Sequence, residues 1–133
     1  MEDRADLVVA TEIDGLHLSR LPAKLATLRQ RLGPERILGV ACGLSRHDAM
    51  IAGEAEADYV SFAGEADALL ELAGWWAALM TVPCVAEGVA GPDEAKALAA
   101  AGADFILPAP SLWSSPDPIR ALEALAAAIR PQA

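Results

Sequence analysis

Pro83-Cys84-Val85-Ala86-Glu87-Gly88, then Pro92-Asp93-Glu94-Ala95-Lys96-Ala97-Leu98-Ala99-Ala100-Ala101-Gly102, then Ala103-Asp104-Phe105-Ile106-Leu107 set out a strand, a helix and a second strand within residues 83–107. The first run is nearly all apolar, as a strand buried on both faces should be. Its leading proline is tolerated at the first strand position. The middle run opens on proline, whose missing N–H is harmless in a first helical turn, and closes on glycine. A strand that returns after one helix lies parallel to its predecessor, with a right-handed crossover.

Outward from this unit the same pattern repeats. Apolar runs begin at Gly15, Ile37, Tyr59, Pro83 and Phe105, at steps of 22, 22, 24 and 22 residues, with alanine-rich stretches between them. Three helix-to-strand junctions share one form: Ile13-Asp14-Gly15, Ala57-Asp58-Tyr59 and Ala103-Asp104-Phe105. The pattern predicts an α/β fold of five parallel strands alternating with helices, a partial (β/α)8 TIM-type barrel. A single domain over residues 1–133 is expected, since 133 residues suit one domain and no linker interrupts the pattern.

The predicted helices cover residues 3–12, Pro22 to Leu32, Ser45 to about Ala57, a stretch of about 15 residues opened by Gly64, Pro92 to Gly102, and Ile119 to Arg130. Gly33-Pro34 stops the second of these. Ser45 with Asp48 three residues on has the spacing of a capping box. The predicted strands are Gly15–Leu18, Ile37–Cys42, Tyr59–Phe62, Pro83–Gly88 and Phe105–Leu107.

The formal net charge is −9, and no basic run is longer than Arg29-Gln30-Arg31. That argues against nucleic acid, whose phosphates need clustered Lys and Arg. Apolar content of 54% argues against disorder. No membrane span is expected, because no apolar run approaches about 20 residues. Without a charged-then-apolar opening, a cytoplasmic protein is the expectation. Cys42 and Cys84 lie inside apolar runs and read as packing thiols.

In order along the chain, Asp14-Gly15-Leu16-His17-Leu18, Ile37-Leu38-Gly39-Val40, Ala57-Asp58-Tyr59-Val60, Pro83-Cys84-Val85-Ala86 with Gly88, and Ala101-Gly102-Ala103-Asp104-Phe105 resemble strands four to eight of the thiamine phosphate synthase/TenI family. Asp3-Arg4 resembles the segment after that family's strand three. The resemblance implies a (β/α)8-type fold without its first three strands. It also implies thiamine biosynthesis as the process. The family's reaction joins hydroxymethylpyrimidine diphosphate to thiazole phosphate, or, in the TenI branch, isomerises the thiazole.

The resemblance carries over to particular residues. Asp3 matches a Mg²⁺-binding aspartate, so Mg²⁺ is the implied cofactor. Leu21-Pro22 stands where the second metal aspartate would be. Gly88 and Val89 match a Gly-Gly phosphate loop, and Ser111 follows Pro110 where the family has Ile-Ser-Ala. These three are the candidate phosphate-binding residues for a small phosphorylated metabolite. Gly43 occupies the position of the TenI histidine. Ser61-Phe62-Ala63-Gly64-Glu65-Ala66 runs almost straight into the next helix, where the synthases carry a Thr-x-Thr-Lys loop that grips the diphosphate. Impaired synthase chemistry is the expectation, since a departing diphosphate needs cationic help. A fragment of a genuine synthase is the alternative.

Alternation places His17 on the face opposite Leu16 and Leu18, so His17 and Ser19 are the candidate pocket residues. Glu87 ends a strand at the end where barrel enzymes place their chemistry. It is the candidate catalytic carboxylate or the seat for a cationic ligand, with Arg20 or Arg46 as its expected ion-pair partner. The family usually has an apolar residue there. Of Trp75 and Trp76, adjacent on a helix, one is expected to pack on the sheet. Five strands do not close a barrel, so a homodimer covering the open edges is a further expectation.

Overall fold

A computed structural model describes residues 14–130. The predicted helix over 3–12 and the candidate metal ligand Asp3 lie outside the described residues. The strands are β1 (Gly15–Leu18), β2 (Ile37–Ala41), β3 (Tyr59–Phe62), β4 (Cys84–Val89) and β5 (Phe105–Pro108). They form one sheet in the order β1-β2-β3-β4-β5, with every neighbouring pair parallel. The helices are α1 (Leu25–Leu32), α2 (Arg46–Glu54), α3 (Ala66–Leu79), α4 (Pro92–Ala101) and α5 (Pro118–Ile129), with a 3₁₀ turn over Pro110–Ser114.

Sequential strand order with a common crossover hand puts the helices on one side of the sheet. Burial agrees. Leu16, Leu18, Leu38, Val40, Val60, Phe62, Cys84 and Ala86 alternate onto the helix side and are buried. Leu25, Leu32, Ala49, Ala52, Leu69, Leu72, Ala73, Trp76, Ala95 and Leu98 meet them from the helices. Trp76 is the expected packing tryptophan: it is fully buried, edge-on to Phe62, and its indole N–H donates to the Val82 carbonyl at 2.7 Å. Trp75 sits half-buried beside it, under the Arg46 guanidinium.

Two of the three Asp junctions, at Asp58 and Asp104, have a shared structural reason. Asp58 N–H donates to the Leu38 carbonyl, and the Asp58 carboxylate accepts from Leu38 N–H at 2.7 Å. Asp104 repeats this with Cys84, accepting from Cys84 N–H at 3.0 Å. Each aspartate thus locks the foot of one strand to the foot of the strand before it. Asp58 also receives Arg29 Nη1 at 2.9 Å, and Arg29 Nη2 donates to the carbonyls of Gly33 and Arg36.

Several element ends differ from the sequence reading. Pro22 lies ahead of α1 rather than in its first turn, and Lys24 is the N-cap. Ser45 caps α2 as expected, accepting from Asp48 N–H at 3.0 Å, but α2 ends at Glu54, because Glu56 adopts a positive φ of 65°. Glu65, not Gly64, precedes α3. β2 stops at Ala41, and β4 begins at Cys84 and runs on to Val89. α5 begins at Pro118, whose fixed φ suits a first turn, behind the Asp117 cap. The 3₁₀ turn has no periodic signature, which is why the pattern does not reveal it.

Candidate functional site

The sheet face turned away from the helices carries the chemistry. Strand register arranges its residues in rows. His17, Gly39 and Tyr59 make one row; Ala41, Ser61, Val85 and Phe105 make the next; Glu87 and Leu107 make the third. His17, Tyr59, Ser61, Val85, Glu87 and Leu107 line a cleft of about 330 Å³ on this face.

Within the first row, Gly39 has no side chain, and the Tyr59 ring lies across it. A Cβ at Gly39 would overlap that ring. Tyr59 thereby reaches His17: its hydroxyl is 2.6 Å from His17 Nδ1, and the two rings stack at 5.8 Å between centroids. The hydrogen-bonded histidine expected in the barrel interior is therefore present, with a tyrosine two strands away as its partner. Ser19, one step beyond on the same alternation, is exposed at the end of β1 and lies outside the cleft.

Glu87 is half-buried, and its Oε2 accepts the Ser61 hydroxyl at 2.7 Å. The expected ion pair with Arg20 or Arg46 does not form among the described residues. Arg46 instead reaches Glu71 at 3.4 Å and covers Trp75. The reason is placement: Arg46 opens α2, on the helix side of the sheet, whereas Glu87 faces away from it.

β4 ends in a bulge. The register slips between Glu87 and Val89, and Gly88 between them has φ of +74°, a backbone shape that glycine adopts without penalty. The slip leaves Glu87 on the open face, Gly88 exposed and Val89 buried. Ser111 is exposed and lines a neighbouring cleft of about 220 Å³ with Gly91, Pro92 and Ser115, which Gly88 and Val89 do not line. The Ala90 amide beside them donates to Glu94 at 3.2 Å. The three candidate phosphate residues thus flank the ends of β4 and β5 without sharing one cavity.

Neither cysteine belongs to the site. Both sit on the helix side, and burial, helped by the charge of Asp48, pushes the Cys42 thiol up to about 12. Burial raises Cys84 as well. A buried thiol with a raised pKa is a poor nucleophile near neutral pH. Among the described residues no group of three or more His, Cys, Asp or Glu is placed to hold a metal ion. No helix among the described residues is long and apolar enough to cross a membrane.

Tyr59, Ser61, Val85 and Leu107 are cleft residues that the sequence reading does not single out. The available signal was alternation: Tyr59 and Ser61, like Val85 and Glu87, stand two apart in their strands, which puts each pair on one face.

A parallel β/α sheet with helices on one face and a cleft on the other has the architecture of part of a TIM-type barrel. The comparisons carry this further. The family model for thiamine monophosphate synthase matches residues 1–108. The chain is 38% identical over 125 residues to the thiamine-phosphate synthase of Erythrobacter litoralis, covering 86% of this chain and 59% of that protein. It is 37% identical over 125 residues to the thiamine-phosphate synthase of Rhodospirillum centenum, covering 87% and 60%. Its fold matches the thiamine phosphate pyrophosphorylase of Pyrococcus furiosus with a TM-score of 0.73 at 22% identity, over 96% of this chain and 65% of that one. This chain belongs to the thiamine monophosphate synthase family. It spans about three-fifths of the length of the two synthases it matches.

Proposed function

We propose that this chain is a ligand-binding member of its family, linked to thiamine biosynthesis, with weak or no synthase turnover. Its open sheet face holds a thiazole-type ring. The end of β4 and Ser111 supply the contacts for a phosphate tail, through backbone amides and a hydroxyl.

The observation that carries the reading is the connection between β3 and α3. It consists of Ala63, Gly64 and Glu65. Ala63 N–H is tied to the Gly43 carbonyl at 3.1 Å, and a Cβ at Gly64 would come within 2.5 Å of Leu44. This short, pinned segment carries no cation. The resemblance places the diphosphate grip there, and a leaving diphosphate without compensating charge departs slowly. The cleft with His17, Tyr59, Ser61 and Glu87 nonetheless keeps the convergent polar groups and apolar walls of a ligand site. Of the two candidate residues at the end of β4, Gly88 is exposed and Val89 buried, so the phosphate contact falls to Gly88.

The test pairs binding with turnover. Thiazole phosphate titrated calorimetrically into the purified chain should give saturable binding. An assay with thiazole phosphate, hydroxymethylpyrimidine diphosphate and Mg²⁺ should give no thiamine phosphate beyond blank. Turnover clearly above blank overturns the impaired chemistry. Absence of thiazole phosphate binding overturns the ligand site.

A further inference from the structure

The cleft contains two hydrogen-bonded pairs of different character. His17 and Tyr59 form the lower one. Ser61 and Glu87 form the upper one, and only this pair carries a formal carboxylate. Ser61 is 1% exposed, so its hydroxyl is a fixed donor, and it occupies Glu87 Oε2. Among the described residues no cation is paired with Glu87: Arg29 reaches Asp58 and Arg46 reaches Glu71. The cleft walls on either side are apolar, formed by Val85 and Leu107. A half-buried carboxylate between apolar walls is costly unless a counter-charge or donor meets it.

We infer that Glu87 is a specificity-determining residue of the cleft, selecting a nitrogen heterocycle that bears a positive charge over its neutral counterpart. This rests on the reading that the cleft is the ligand site. The chemistry follows from the parts. Val85 and Leu107 give a planar ring apolar contact. Ser61 holds the carboxylate in one orientation, so little ordering remains when a ligand arrives. The positive ring supplies the charge that the protein withholds. A ring carrying negative charge beside the Glu87 carboxylate would be repelled. The preferred ring is therefore a quaternised thiazolium rather than a neutral thiazole.

The experiment uses two rings of nearly the same shape: 4-methyl-5-(2-hydroxyethyl)thiazole and its N-methylated thiazolium. Each is titrated into the wild-type chain and into Glu87→Gln, with circular dichroism confirming that both proteins are folded. The amide keeps an acceptor for Ser61 and removes the charge. Wild type should bind the thiazolium about tenfold or more tighter than the thiazole, the scale of an ion pair in a partly buried site of intermediate dielectric. Glu87→Gln should reduce that preference to about twofold, because the charge that favours the thiazolium is lost. Ser61→Ala should fall between, because the carboxylate remains but is no longer held. Equal binding of both rings to wild type, or a preference that survives Glu87→Gln, overturns the inference and leaves the ligand site standing. If wild type binds thiazole phosphate but neither unphosphorylated ring, this inference is overturned and the ligand site stands; if it binds none of the three, both are overturned.

Discussion

Replacing Asp58 by alanine removes a strand lock whose cost can be worked from its contacts. The carboxylate accepts from the Leu38 amide at 2.7 Å and from Arg29 at 2.9 Å. Leu38 is fully buried, so its amide at the foot of β2 loses a charged acceptor without ready access to water; such a bond is worth about 1.5–3 kcal/mol. The ion pair adds less. The Asp58 side chain is 45% exposed, so solvent screens it, and Arg29 keeps the Gly33 and Arg36 carbonyls. A contribution of roughly 0–1 kcal/mol is appropriate for that part. Asp58→Ala should therefore destabilise by about 1.5–4 kcal/mol, the sum of the two. For a chain of this size that lowers Tm by about 3–5 °C per kcal/mol. Asp104→Ala isolates the amide part, because Asp104 accepts from Cys84 N–H at 3.0 Å and, among the described residues, no arginine pairs with it. Urea unfolding followed by circular dichroism measures both. Asp104→Ala should cost less than Asp58→Ala, with similar m-values. Losses under about 0.5 kcal/mol for both variants, the range of an ordinary surface change, would refute the strand-lock reasoning. So would Asp104→Ala costing clearly more than Asp58→Ala.

Two further outcomes follow from packing. Gly39→Ala drives a methyl into the Tyr59 ring, so Tyr59 must leave His17; a loss of about 1–3 kcal/mol is expected, with a changed His17 ring signal in NMR spectra. An unchanged signal and unchanged stability would contradict the packing described. Cys42 concerns pH. Its thiol ordinarily titrates at 9.0 and is pushed up to about 12 in the folded chain. Above pH 9 the unfolded chain gives up this proton while the folded chain keeps it, so the unfolded state is favoured progressively. The Cys42 contribution to stability is full below pH 9 and is lost between pH 9 and about pH 12. Native Cys42 should also resist iodoacetamide at pH 8 and react on unfolding in urea; mass spectrometry of the labelled protein checks this. Rapid native labelling would show that the thiol is neither buried nor raised.

The fold was legible because two independent periodicities agree. Recurrence at 22 to 24 residues set the strand count and their parallel order, and alternation within each strand set which face each residue takes. His17 shows how far that reaches: its face was readable from Leu16 and Leu18 alone. Its partner was not, because Tyr59 lies two strands away and reaches His17 only over a glycine. Glu87 shows the limit more sharply. Its position at a strand end was plain, but its partner depends on which neighbour shares its face, and Arg46, though basic and close in the chain pattern, belongs to the helix side.

Local sequence thus determined the elements, their order and the sidedness of each strand, because backbone geometry and apolar burial act over a few residues at a time. Tertiary structure decided which side chains meet. Register between strands, the Tyr59 ring lying over Gly39, and the bulge at Gly88 are set by packing between segments about 20 residues or more apart in the chain. No local pattern encodes those distances.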